Sequence, residues 1–220
     1  MRKFIAFVIA SSLIVFFGLL LYKNYPPNKK IITRKNNSHQ SVKTEETSKS
    51  QRDEIPRYPL ENSKERITKK KFGDYITPEN SPVQPERFTG FHTGVDFEVF
   101  EDELETEVSV KAVCTGKIVY KNQVSGYGGV LIQECILENQ TVTILYGHLN
   151  LASINKKSQE NLEEGELIGF LGKGYSTETD GERKHLHLAI HKGEEINLLG
   201  YVQNQADLEN WINPCLFFCN

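Results

Sequence analysis

Hydrophobic and polar positions alternate over much of the chain beyond residue 90. Runs of this kind occupy 95–100, 107–113, 116–122, 129–137, 141–147, 166–171 and 185–191, and clusters of Gly, Asn and Ser separate them. A period of two sends successive side chains to opposite faces of a strand, so these runs predict a mostly β domain, an antiparallel sheet or β-barrel-like body. Helical periodicity is scarce, and no internal repeat is apparent. The tail with Trp211-Ile212-Asn213-Pro214 is expected to pack back over the end of the barrel.

The N-terminus reads differently. Residues 4–22 are an uncharged, apolar run of 19 residues, about 28 Å long as a helix and close to the thickness of a bilayer's hydrocarbon core. After Leu21 comes Tyr22-Lys23-Asn24-Tyr25-Pro26, with no small-x-small cleavage site, so residues 1–22 are expected to be an uncleaved transmembrane anchor. Flanking charge does not orient it for export: Arg2 and Lys3 precede the run, but Lys23, Lys29, Lys30, Arg34 and Lys35 follow it. Residues 23–71 are rich in Lys, Asn, Ser, Thr, Glu and Gln with few apolar positions. Such a segment buries too little surface to offset its ordering entropy, and it is expected to be a largely disordered tether. Residues 72–220 are long enough for one domain with its own core.

Charge follows the same division. The formal net charge of −3 hides a basic arm, with 16 Lys and Arg against 6 Asp and Glu in residues 1–72, and an acidic remainder with 10 against 23. The arm suits anionic headgroups or wall polymers, or serves as a solvated linker that its own charge keeps extended. An acidic domain argues against nucleic acid as a partner. The glycines of Gly169-Phe170-Leu171-Gly172-Lys173-Gly174 do not open a helix, as a phosphate-binding loop would require.

Candidate chemistry sits in two stretches. In Gly90-Phe91-His92-Thr93-Gly94-Val95-Asp96, an imidazole and a carboxylate lie four positions apart. With a distant imidazole pair they make a nitrogen and oxygen ligand set for a divalent metal, zinc most readily. In an extended strand His92 and Asp96 would be roughly 13 Å apart, too far to share an ion. The segment must therefore bend, and Gly94 is the residue expected to permit it, through positive φ and close backbone approach. In the second stretch, period two puts Leu186, Leu188 and Ile190 on a core face and His185, His187 and His191 on the other. Both histidines of the His185-Leu186-His187 unit can ligate, or one can ligate while the other handles protons; spacing alone does not choose. Glu98 shares the face of Asp96 and is expected to be a solvated strand residue. Of the four cysteines, Cys114 and Cys135 fall on two arms of a hairpin turning near Gly126, where a disulfide is feasible in an exported domain. Cys215 and Cys219 lack the second half of a zinc knuckle, and buried thiols remain a reading for all four.

Gly90 to Asp96 resembles the H-x-x-x-D motif of the lysostaphin-type zinc endopeptidases, the duplicated hybrid motif family. Tyr146-Gly147-His148-Leu149 is similar to its Y-x-H-L motif and His185-Leu186-His187 to its H-x-H motif. Residues 110–119 resemble its V-x-A-x-x-x-G-x-V hairpin, Gly126-Tyr127-Gly128 its G-Y-G turn, and residues 162–169 the segment before its last glycine-rich loop. The resemblance covers about residues 85–193. Two departures stand out: Gly129 follows the G-Y-G turn where Asn is frequent, and residues 179–184 form a longer, more charged loop before His185. Both are expected to alter groove walls and specificity rather than the metal site.

The resemblance implies Zn2+ held by His92, Asp96 and His187, with His148 and His185 handling proton transfer and steadying the oxyanion. Tyr146 would line a substrate groove. The implied protein is a zinc endopeptidase acting on the stem or cross-bridge peptides of bacterial peptidoglycan, anchored by its N-terminal helix with the catalytic domain outside the membrane. The competing class is a membrane-anchored, non-catalytic regulator or scaffold of the same fold, which binds wall or activates another hydrolase.

Overall fold

The computed structural model describes residues 58–219. Twelve strands occur in this span. They are β1 (Tyr75–Ile76), β2 (Gly90–His92), β3 (Gly94–Glu98), β4 (Ser109–Lys111), β5 (Gly116–Val124), β6 (Gly128–Leu137), β7 (Gln140–Leu149), β8 (Asn161–Leu162), β9 (Leu167–Phe170), β10 (His185–Lys192), β11 (Tyr201–Val202) and β12 (Trp211–Ile212). The described helical segments are all short 3-10 turns, so the domain is mostly β, as the alternation predicts.

All strand pairings are antiparallel. They make a seven-stranded sheet in the order β12-β10-β7-β6-β5-β8, with β3 paired to β10, and two small sheets, β1-β2-β11 and β4-β9. Among the described residues these are open sheets rather than a closed barrel. The seven runs with clear alternation all become strands. The additional strands β1, β2, β8, β11 and β12 are two or three residues long, too short to show a period. Trp211 does fold back as expected, but as sheet edge: β12 pairs Trp211 with His191 and Ile212 with Ile190.

One face of the large sheet, carrying Phe97, Leu131, Ile144, Leu186 and Leu188, packs with Val110 and Ile168 of the β4-β9 sheet in the main core. The other face carries a smaller cluster, Tyr127, Val130, Ile132, Leu145, Ala189 and Trp211. Cys114 and Cys135 form a disulfide across the base of the β5-β6 hairpin, with Cα atoms 6.3 Å apart. Cys215 and Cys219 form a second, so none of the four is a free thiol.

The last part of the tether expected over 23–71 is folded instead. The run at 4–22 and the segment to residue 57 lie outside the described residues, but residues 58–71 pack on the domain. Leu60 is 1 % exposed and belongs to the main core. Arg66, 3 % exposed, pairs with Glu103 through Nη1 at 2.6 Å and Nη2 at 2.8 Å, and its Nη1 also donates to the Glu98 carbonyl. A few anchoring side chains at fixed positions, which composition averages away, hold this segment. No helix among the described residues is long and apolar enough to cross a membrane.

A chain begun at residue 72 therefore loses a buried leucine and a bidentate ion pair that a chain begun at 58 keeps. Burying one leucine is worth about 1.5–3 kcal/mol, and its loss together with Arg66 should lower the thermal midpoint by at least about 5 °C. Equal midpoints in side-by-side calorimetry would show that 58–71 adds no stability.

Candidate metal centre

The register between β3 and β10 builds the centre. Asp96 stands opposite His187, and Glu98 opposite His185. On its other edge β10 pairs His187 with Gly147 of β7. Because directly opposed residues share a face, the acid of one strand and the histidines of the next are brought together on the side away from the main core. His92 arrives from a different sheet. The chain leaves β2 at Thr93, whose N–H and Oγ1 donate to the carbonyls of Gly200 and Leu199, and enters β3 at Gly94. Gly94 acts by close approach alone, since a Cβ there would meet the Leu188 carbonyl oxygen at 2.5 Å and the His187 ring at 2.8 Å. The positive φ lies at Gly90, at +140°.

Three donor atoms converge. His92 Nε2 is 3.0 Å from His187 Nδ1 and 3.3 Å from Asp96 Oδ1, and His187 Nδ1 is 3.1 Å from the same oxygen. His92 Nδ1 lies 3.2 Å from the Lys71 carbonyl, which can only accept, so the His92 proton sits on Nδ1 and Nε2 presents a lone pair. A buried carboxylate and two imidazole nitrogens turned toward one point favour a cation. A tetrahedral zinc site with bonds of about 2.0–2.1 Å separates its ligand atoms by roughly 3.3 Å. The three atoms fit that size, and His92, Asp96 and His187 can hold a metal ion.

His148 and His185 complete the cluster, with ring centroids 4.1 Å apart. His185 Nδ1 donates to the Arg183 carbonyl at 2.9 Å, and its Nε2 is 3.4 Å from Asp96 Oδ2. His148 reaches this face through its backbone φ of 63°, which breaks the alternation of β7. The five residues line one cavity of ≈ 270 Å³, together with Tyr127, Lys70, Phe88 and the segment Leu198–Tyr201. None of the five is more than 4 % exposed.

Tyr146 does not line this cavity. It is fully buried on the core side, where its hydroxyl donates to Gln133 Oε1 at 3.2 Å and accepts from the Val113 N–H at 3.0 Å. The cause is the turn at His148: period two would place 146 and 148 on one face, and the left-handed residue puts them on opposite faces. Glu98 is not solvated either. It is 8 % exposed and grips Arg183, whose Nη2 also donates to Asp96 Oδ2 at 2.8 Å. The charged loop before His185 therefore reaches the metal centre as well as its walls. Gly129 sits within the β6-β7 pairing, where a Cβ would lie 2.0 Å from the Leu149 carbonyl oxygen, so asparagine cannot take its place without a backbone shift.

Residues 90–198 match the sequence profile of peptidase family M23. The match spans the stretch that holds His92, Asp96, His148, His185 and His187. This is an M23 peptidase domain. Solved structures similar to the chain include LytU, at 25% identity and TM-score 0.45, covering 69% of this chain and 83% of that one. A zinc-containing peptidase from Vibrio cholerae matches at 20% identity and TM-score 0.41, covering 62% and 36%. The SpoIIQ-SpoIIIAH pore-forming complex matches at 18% identity and TM-score 0.45, covering 73% and 88%. No curated protein matches the chain.

Burial sets the protonation of the M23 centre. It pushes His187 down to about 4, with the neighbouring charge of His92 adding to the effect against the pull of Asp96. Burial also drives His148 well below the ordinary histidine range, and the charge of His185 adds to this. For Asp96 burial acts the other way, but the charges of His185 and His92 outweigh it and hold the carboxyl well below the usual range. At neutral pH His148 and His187 are therefore neutral and Asp96 ionised, the forms that metal ligation and proton acceptance require.

For the metal-free domain the sign follows directly. A histidine whose folded pKa is depressed contributes stability that is present above its unfolded value of 6.5 and lost as pH falls toward the folded value, about 4 for His187. His148 acts in the same direction, and Asp96 extends the loss below its unfolded value of 3.8. His187 alone accounts for on the order of 3 kcal/mol. The thermal midpoint of the metal-free domain should fall steadily between pH 6.5 and 4, and less steeply in His187→Gln. A flat profile over that range would contradict a His187 that is buried neutral.

Proposed function

We propose that the chain is a zinc-dependent endopeptidase that hydrolyses peptide cross-links of bacterial cell-wall peptidoglycan. The apolar run 4–22 would hold it at the membrane, with the M23 domain in the cell envelope outside. One observation carries the reading: three metal-competent donor atoms and a second pair of imidazoles converge in one cavity of a family M23 domain.

Held by His92, Asp96 and His187, zinc would supply Lewis acidity and a nucleophile at neutral pH. The remaining work falls to the chain's own groups. His148, neutral and with no hydrogen-bond partner on Nδ1, is free to take a proton and pass it to a leaving amine. His185, held by the Arg183 carbonyl through Nδ1, presents its Nε2 edge beside Asp96, and with a proton on that nitrogen as well it would donate to an oxyanion. The buried walls exclude bulk water, which strengthens both effects.

A second reading has a specific observation behind it. The near-complete burial of all five residues is also what a non-catalytic scaffold of this fold would show, using the site for stability rather than turnover.

The two readings separate in an assay of fragment release from purified peptidoglycan by a chain begun at residue 58. The peptidase reading expects one zinc per chain and cleavage that a chelator abolishes. His187→Ala should lose the zinc, whereas His148→Ala should keep it and slow turnover by about 10² or more. Stoichiometric zinc with no release from any wall type would favour the scaffold.

A further inference from the structure

Arg183 is a buried guanidinium, 6 % exposed, that joins two carboxylates. Its Nη2 donates to Asp96 Oδ2 at 2.8 Å. Its Nε donates to Glu98 Oε2 at 2.9 Å, and its Nη2 to Glu98 Oε1 at 2.5 Å. The two oxygens of Asp96 are thus divided: Oδ2 is taken by the guanidinium, while Oδ1 faces His92 Nε2 and His187 Nδ1. The carbonyl of the same residue fixes the His185 ring through Nδ1.

We propose that Arg183, braced by Glu98, is a positioning residue that restricts Asp96 to one-oxygen metal ligation. The inference rests on the metal-centre reading above and assigns a job to a side chain outside its ligand set. A carboxylate free to turn about its Cβ–Cγ bond can offer either oxygen, or both, to an ion. The planar guanidinium removes that freedom, because its donors span Asp96 and Glu98 at once. A cation beside a metal ligand set would by itself weaken metal binding. Glu98 offsets much of it by pairing with Arg183, although its Oε2 also meets the partly exposed Lys69 Nζ at 3.5 Å. Arg183 therefore supplies orientation at a reduced electrostatic cost. Lysine would keep the charge but lose the fork.

The test uses the full chain as wild type, Arg183→Lys and Glu98→Gln, with three readouts. These are zinc affinity by chelator competition, the visible absorption of the cobalt(II)-loaded protein, and the thermal midpoint of the metal-free protein. Arg183→Lys should weaken zinc by about 10- to 100-fold, the usual effect of removing a group that orients a metal ligand. Its cobalt spectrum should lose intensity as the second Asp96 oxygen joins the ion. Glu98→Gln, which leaves Arg183 less firmly braced, should show a smaller loss in the same direction. Zinc affinity within about twofold of wild type and an unchanged cobalt spectrum would overturn the proposal, even if the midpoint falls, since a merely structural ion pair moves only the midpoint. Tighter zinc binding in Arg183→Lys would also overturn it. If Arg183→Lys does not fold, Glu98→Gln decides by the same criteria. A wild-type chain that binds no zinc would sink the metal-centre reading and this inference together, and so is distinguishable from failure of the inference alone.

Discussion

The site depends on the register of one strand pair. With Asp96 opposite His187 and Glu98 opposite His185, β3 and β10 lay an acid and two imidazoles on the face away from the core. A slip of one residue would send Leu186 and Leu188 to that face and bury the histidines among apolar side chains. The pattern that drives core formation therefore also assembles the chemistry. Gly94 and Gly147 flank His187 from the two neighbouring strands. A Cβ at Gly94 would meet the His187 ring, and one at Gly147 the ring of Tyr127, so the small residues keep space where the ring must sit.

Residues upstream of the family match complete what those strands begin. The Lys70 carbonyl accepts the Asp96 N–H, and the Lys71 carbonyl fixes the His92 tautomer. Arg66 bonds the Glu98 carbonyl, and Lys70, which lines the cavity, joins Glu86 through Nζ at 2.5 Å. The segment that composition assigns to a tether thus supports two metal-site residues through its backbone. Backbone groups at fixed positions do this work, and they leave no mark on amino-acid content.

How much could be read in advance follows from which features are local. Period two in 185–191 identified the histidine face of β10, and the three separated motifs located His92, Asp96, His148, His185 and His187, which the fold brings together. The misassignments share one origin, namely that a tertiary or conformational event reset a local pattern. Tyr146 stands opposite Leu188 on the core side, and the left-handed residue turns only His148 to the cavity. Glu98 reads as solvated until Arg183, 85 positions later, is folded against it. The basic run of the loop before His185 gave no sign that both its cations, Arg183 and Lys184, are buried. The short strands β1, β2 and β11 gather around His92 through pairings between distant positions, which no local window contains.

The central claim is that His92, Asp96 and His187 form a single metal site. Calorimetric titration of zinc into the metal-free chain and its Asp96→Ala variant at neutral pH tests it most directly. The account predicts one tight site per wild-type chain, with proton release where ligand protons are displaced, and loss of that site in the variant. Tight, stoichiometric binding that survives removal of Asp96, or no tight site in the wild type, would contradict it.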